Sequence, residues 1–127
     1  MKILILEDDD FMARMYEKAF VMKKHKVVVA PNGQAAIDIG KKDDKFDLLI
    51  VDLMMPIMNG FDFMAEIKKI KMFDGVPIMI LSNLTSKRDA EEAERLGAAQ
   101  FIIKSDHGPY YVIEQAEALL KNKDKKK

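Results

Sequence analysis

Residues 47–60 read DLLIVDLMMPIMNG, and this stretch decides the fold. Leu48, Leu49, Ile50 and Val51 make an apolar run of strand length, Asp52 closes it, and Met55-Pro56 turns the chain. Asn59-Gly60 then opens a segment of helical period. The unit is strand, polar strand end, turn, helix. Outward from it the same grammar recurs, with apolar runs at 3–6, 27–30, 78–81 and 100–103, each followed by turn residues and a helix-period segment. Five βα repeats of this kind specify an α/β doubly wound sheet of five parallel strands covered on both faces. Right-handed crossovers leave few topologies, with the first, third and fourth strands central.

The helices carry their own signals. After Asp9 and Asp10, either of which serves as N-cap, the spacing sets Met12, Met15, Ala19 and Met22 on one core-packing stripe. The second helix follows Pro31, Asn32 and Gly33, and the third follows Asn59 and Gly60. Ser86 with Asp89 three residues on is a capping signature for the fourth, and Gly97 suits its C-terminus. The fifth begins near Pro109, with Val112, Ile113, Ala116, Leu119 and Leu120 as its apolar stripe.

At 127 residues the chain is long enough for one domain with a sizeable core. Its 49% hydrophobic and 33% charged content is ordinary for a soluble protein. No apolar stretch reaches the roughly 18 residues of a spanning helix, and MKILILEDDD turns acidic too early for a signal peptide, so the chain reads as cytoplasmic with no membrane role. The absence of cysteine excludes disulfides and thiolate chemistry, leaving oxygen ligands or histidine for any metal. Lys plus Arg and Asp plus Glu balance at 21 each. Setting aside the five Lys and one Asp of residues 121–127, KNKDKKK, leaves 16 basic and 20 acidic residues. Residues 1–120 therefore form a mildly acidic domain without a surface for direct nucleic-acid binding, and 121–127 read as a disordered Lys-rich tail.

Five polar residues close the apolar runs. Glu7 and Asp8 follow ILIL, Asp52 follows LLIV, Ser82 follows IMIL, and Lys104 follows QFII. Ligands of doubly wound sheets bind at the carboxyl ends of the strands, and these residues all fall on that edge. Carboxylates at 7, 8 and 52 converge if the first and third strands are neighbours, and their mutual repulsion requires a cation. Oxygen-only ligation in a small cleft suits Mg²⁺. With Lys104 as a second cation and Ser82 as a hydrogen-bond donor, the pocket is a cradle for a phosphoryl group, with Asp52 as nucleophile. Alone, each would read as a cap or a solvated side chain, so their weight comes from sharing one edge. His25, in the polar turn MKKHKV, reads as exposed, and His107 as a loop residue without a second histidine ligand.

These residues give the chain a resemblance to the receiver domains of bacterial two-component response regulators, extending over residues 2–120. Glu7 and Asp8 match the family's acidic pair, and Asp52 through Gly60 matches its D-x-x-M-P-x-x-x-G segment. Ser82 matches the switch hydroxyl and Lys104 the lysine, at spacings of 44 residues from Asp8 to Asp52, then 30, then 22. The resemblance implies a flavodoxin-like (βα)5 fold with strand order 2-1-3-4-5. It implies that Asp52 accepts a phosphoryl group from a histidine kinase or histidine phosphotransfer protein. Mg²⁺ would be held by Asp8, Asp52 and the Met54 backbone carbonyl, with Glu7 acting through water. Lys104 would contact a phosphoryl oxygen, and Ser82 would turn inward to it. Phe101, at the switch aromatic position, would relay that turn to a surface of helix 4, strand 5 and helix 5 read by a downstream protein. The same surface would serve a homodimer.

Three positions depart from the family pattern. Glu7 replaces the commoner Asp, and Asn83 follows Ser82 where a small residue is usual, which narrows access. Ser105 follows Lys104 where Pro is usual, and a cis bond there would cost about 3–4 kcal/mol. Apolar Met54 and Leu84 flank the acyl phosphate and would slow its hydrolysis. Two other readings compete. A haloacid-dehalogenase-like phosphatase fits Asp8-x-Asp10 superficially, but Met12 stands where Thr or Val belongs and Asp52 goes unexplained. A non-phosphorylated interaction module would leave five intact site residues without a role. With no output segment after residue 120, the chain reads as a stand-alone receiver or a domain of a longer chain.

Overall fold

The computed structural model describes residues 1–84 and 86–125, with side chains as far as Asn122 except at Thr85. The elements alternate as β1 (Lys2–Leu6), α1 (Asp10–Met22), β2 (Lys26–Ala30), α2 (Gly33–Lys42), β3 (Leu48–Val51) and α3 (Gly60–Ile70). They continue with β4 (Ile78–Ser82), α4 (Lys87–Arg95), β5 (Gln100–Ile103), a 3-10 turn (Lys104–Asp106) and α5 (Pro109–Lys125). The strands pair in parallel in the order β2-β1-β3-β4-β5.

Alternation along each strand splits the core in two. Leu4 and Leu6 of β1 join Leu49 and Val51 of β3 on one face, packed with Ile37 of α2 and Phe63 and Ile67 of α3. Ile3, Ile5, Leu48 and Ile50 point the other way, onto Tyr16 and Phe20 of α1 and Val112, Ile113 and Ala116 of α5. Apart from Lys2 at the start of β1 and Ser82 at the end of β4, the central strands β1, β3 and β4 are apolar because both of their faces are covered, whereas edge strand β2 is only part-buried.

Asp9, Asn32, Asn59 and Ser86 each cap a helix, their side chains accepting backbone N–H groups of Met12, Ala35, Asp62 and Arg88. Gly97 adopts φ +110, a left-handed conformation that suits glycine at a helix end.

Two expectations are corrected. The core face of α1 is Ala13, Tyr16 and Phe20, while Met12, Met15 and Ala19 only flank it and Met22 is exposed. The i, i+3, i+7 spacing of 13, 16 and 20 defines the same helix turned toward its aromatic side. His25 is not exposed: its side chain is 10% accessible, its ring meets Phe20 edge-on, and Nε2 lies 3.1 Å from Glu117 of α5. Helix α5 extends through Lys125, past residue 121 where the Lys-rich segment begins, and residues 126–127 lie outside the described residues.

Candidate functional site

The sheet ladder brings the acidic residues level. Leu6 pairs with Val51, and one residue further the Asp52 N–H donates to the Leu6 carbonyl at 3.1 Å. The Glu7 N–H likewise donates to the Ala30 carbonyl at 3.0 Å. One oxygen each of Glu7, Asp8 and Asp52 falls within 4.8 Å of the others. Glu7 and Asp52 are buried, at 4% and 6% accessible, and Asp8 is exposed. The grouping expected from the sequence is therefore present, with two acids inside and one at the mouth.

Lys104 reaches this group from the far side of the sheet. Its ammonium donates to Asp52 Oδ2 at 2.9 Å and also to Glu7 Oε1, and its side chain is 10% accessible. The second Glu7 oxygen accepts the Asp9 N–H at 3.2 Å, and Asp52 Oδ1 accepts the Met54 N–H at 3.2 Å. Burial pushes the Glu7 carboxyl above the usual carboxylate range; the Lys104 hydrogen bond and charge oppose this, and Asp52 adds to it. For Lys104, burial favours the neutral amine, but hydrogen bonds to Glu7 and Asp52 and both their charges outweigh it and hold its pKa above normal.

Ser82 is fully buried at the end of β4, where its Oγ accepts the Leu84 N–H at 3.4 Å. Among the described hydrogen bonds it has none with Asp52. Met54 sits on the loop after β3 with its side chain 61% accessible. A cavity of about 570 Å³ opens beside the acids, lined by Asp8, Met54, Pro56, Asn59 and Leu84. Its wall is a tight loop: the Met58 N–H donates to the Pro56 carbonyl at 2.7 Å around Ile57, which has φ +68. A β-branched residue rarely adopts that conformation, and such strain collects at functional sites. Gly60 is required there, because a Cβ on it would come within 2.4 Å of the Asp52 carbonyl oxygen. Phe101, on β5, is part-buried against the α2/α3 side of the core and borders a groove with Ala90 and Ala93 of α4.

Sequence reasoning missed two features. Tyr16 is buried beneath the acids; burial raises its phenol pKa, Lys104 lowers it, and Glu7 and Asp52 raise it. Its signal was the 13-16-20 spacing, hidden by the methionines beside it. The other is a bond between Asn83 and Ser105, two positions that the sequence marked only as departures. The Lys104–Ser105 bond is trans, as are all the described peptides.

Comparison with known proteins agrees with this geometry. The family model described as the response regulator receiver domain matches residues 3–108. The transcriptional regulatory protein CpxR of Escherichia coli K12 is 32% identical over 103 residues, covering 81% of this chain and 42% of that protein. The probable transcriptional regulator ycf29 of Pyropia yezoensis is 26% identical and has 46% of its length matched, so the chain spans less than half the length of these relatives. Chemotaxis protein CheY4 of Vibrio cholerae superposes with a TM-score of 0.85 at 24% identity, covering 93% of this chain and 97% of that one. The HemR receiver domain of Leptospira biflexa gives 0.83 at 26%, covering 94% and 93%. The flavodoxin-like order of strands, the acids at their carboxyl ends and the match over residues 3–108 lead to one conclusion: the chain belongs to the receiver-domain family of two-component response regulators.

Proposed function

We propose that Asp52 is the phosphoacceptor of a phosphorylation-controlled signalling domain. The observation that carries this reading is the Lys104 ammonium bonded to a buried Asp52 inside an acidic cluster that opens to a cavity. A buried carboxylate held by a cation is otherwise costly, and is kept where chemistry needs it. An Oδ of Asp52 attacks the phosphorus of a phosphohistidine on a kinase or phosphotransfer protein. A P–O bond forms, the P–N bond breaks, and the imidazole leaves with a proton from solvent.

The donor set fits Mg²⁺: hard carboxylate oxygens, one of them at a solvent-facing mouth where metal waters are retained. Asp8, Asp52 and the Met54 backbone carbonyl are the proposed ligands, and Glu7, already engaged by Lys104 and Asp9, acts through water. Bound there, the metal neutralises charge on the phosphoryl oxygens. Lys104 moves its hydrogen bond from the Asp52 carboxylate to a phosphoryl oxygen. Ser82 gives up only a long bond to Leu84 when it turns inward, so that step has little to oppose it. Phe101 follows into the space behind, altering the α4-β5-α5 face that a downstream protein, or a second copy of the chain, reads. Apolar Met54 and Leu84 at the cavity mouth hinder an attacking water. The phosphatase alternative is weakened because Asp10 is an exposed first-turn residue of α1, outside the acid cluster.

The test is intact-protein mass after incubation with acetyl phosphate. A gain of one phosphate that needs Mg²⁺ and is lost in Asp52→Asn is expected. A chain that binds Mg²⁺ but takes no phosphate would turn the reading toward a non-phosphorylated interaction module.

A further inference from the structure

The residue after Ser82 and the residue after Lys104 are joined across the top of the sheet: the Ser105 N–H donates to Asn83 Oδ1 at 2.9 Å. The β4–β5 ladder ends at the pair Ser82 and Ile103. The Asn83 side-chain oxygen thus stands in for the next carbonyl of the ladder and carries the pairing past the sheet. The 3-10 turn that begins at Lys104 has no side-chain cap, and its closing bond, from the His107 N–H to the Lys104 carbonyl, is long at 3.4 Å. Of these two backbone N–H bonds of the turn, the one to Asn83 is the shorter.

What the turn carries is the ammonium of Lys104, which has to meet both Glu7 and Asp52. We propose that Asn83 is a positioning residue: by holding the Ser105 N–H it fixes the Lys104 backbone so that the ammonium stands against Asp52. It also ties that backbone to the loop of Ser82, so that the two groups meeting an incoming phosphoryl group are set by one bond. The Ser105 amide makes this tie available, because a proline there would have no N–H to donate. The inference rests on the phosphoacceptor reading of Asp52, and it replaces the view of Asn83 as a bulky neighbour that narrows the entrance.

Three substitutions of this exposed residue separate the two roles. Asn83→Ala removes both the bond and the bulk, Asn83→Leu removes the bond but keeps the bulk, and Asn83→Asp keeps an acceptor oxygen. Amide exchange is measured first, on metal-free protein. Protection of the Ser105 amide is expected in the native chain and in Asn83→Asp, and its loss in the other two. An unprotected Ser105 amide in the native chain overturns the proposal. Phosphorylation by acetyl phosphate is then followed against Mg²⁺ concentration. Asn83→Ala and Asn83→Leu should both lower the maximal rate about five-fold, the scale of one lost hydrogen bond, with the half-saturating Mg²⁺ unchanged. A faster Asn83→Ala with a native-like Asn83→Leu means that Asn83 is only a gate, and it overturns the positioning role alone. A native chain that takes no phosphate removes the reading of Asp52 and this role with it, whatever the amide data show.

Discussion

Lys2 and Lys104 stand at opposite ends of the same sheet, each beside two acidic residues. At the amino end of β1, the Lys2 ammonium meets Asp43 at 2.5 Å and lies 4.5 Å from the centre of the Phe46 ring, while its backbone N–H donates to Asp47 at 2.8 Å. At the carboxyl end, Lys104 meets Glu7 and Asp52. The side chains of Lys2 and Asp43 are 31% and 49% accessible, against 10%, 3% and 8% for Lys104, Glu7 and Asp52. The first group fastens the loop between α2 and β3 to the start of β1 in high dielectric, where an ion pair adds little. The second keeps three charges in a place where burial disfavours each of them. The same set of charges is thus structural trim at one end and a candidate reaction site at the other, and desolvation makes the difference.

Removing each lysine breaks the comparison most sharply. Lys104→Met leaves Glu7 and Asp52 buried without their cation, and should cost about 3 kcal/mol of metal-free stability by urea denaturation. Lys2→Met leaves its acids to water and should cost far less. Mg²⁺ should bind Lys104→Met more tightly than the native chain, because the ammonium no longer competes for the same oxygens. At a hundred times its Kd the ion adds about 2.7 kcal/mol to either protein. Equal losses from the two lysine substitutions would mean that the buried site is no more strained than the surface one.

The contrast was half legible in the sequence. Strands that are apolar without alternation announced a sheet covered on both sides, and the polar residues after four of the five runs placed the five site residues on one edge. Ser82 and Lys104 gained meaning only from sharing that edge with Asp52, so fold and site were read together. Finer placement failed where packing, not pattern, decides. The methionines of α1 compete with Ala13, Tyr16 and Phe20 for the buried face, and both sets have helical spacing, so only the partner helix α5 and the sheet select between them. His25 sits among lysines in a turn, and nothing local signals that Glu117, 92 residues away, will cover it. The bond from Ser105 to Asn83 spans 22 residues and joins a side chain to a backbone group, which no periodicity encodes.

The pH dependence of the acids sharpens the comparison further. Glu7 has its pKa raised above 4.5 in the fold, chiefly by burial, so between 4.5 and that raised value the folded state binds the extra proton. Stability from this group is full below pH 4.5 and falls as pH rises through the folded pKa. Glu7→Gln should therefore flatten the loss on the neutral side of the pH–stability curve. Lys104 is raised above 10.5, so its contribution persists below that pH and fails only as pH climbs through its folded value. A Glu7→Gln curve parallel to the native one across the acid-to-neutral range would remove burial as the cause.

Asp43 gives the smallest effect and the opposite sign. Its hydrogen bond to Lys2 lowers its pKa below 3.8, so the folded state holds this proton less tightly than the unfolded chain. Its contribution is present above pH 3.8 and is lost as pH falls through the folded value. Because the carboxylate faces solvent, water and counter-ions share the lysine's charge with it. At about 1 M salt the Debye length is only about 3 Å, and what remains of the attraction should be screened. Acid unfolding of Asp43→Asn and of the native chain should then coincide in high salt and differ slightly in low salt. The effect of Glu7→Gln, set by desolvation inside the site, should survive the same salt. If the Asp43→Asn difference also survived, the lower end of the sheet would hold its charges as firmly as the upper end, and accessibility would no longer distinguish them.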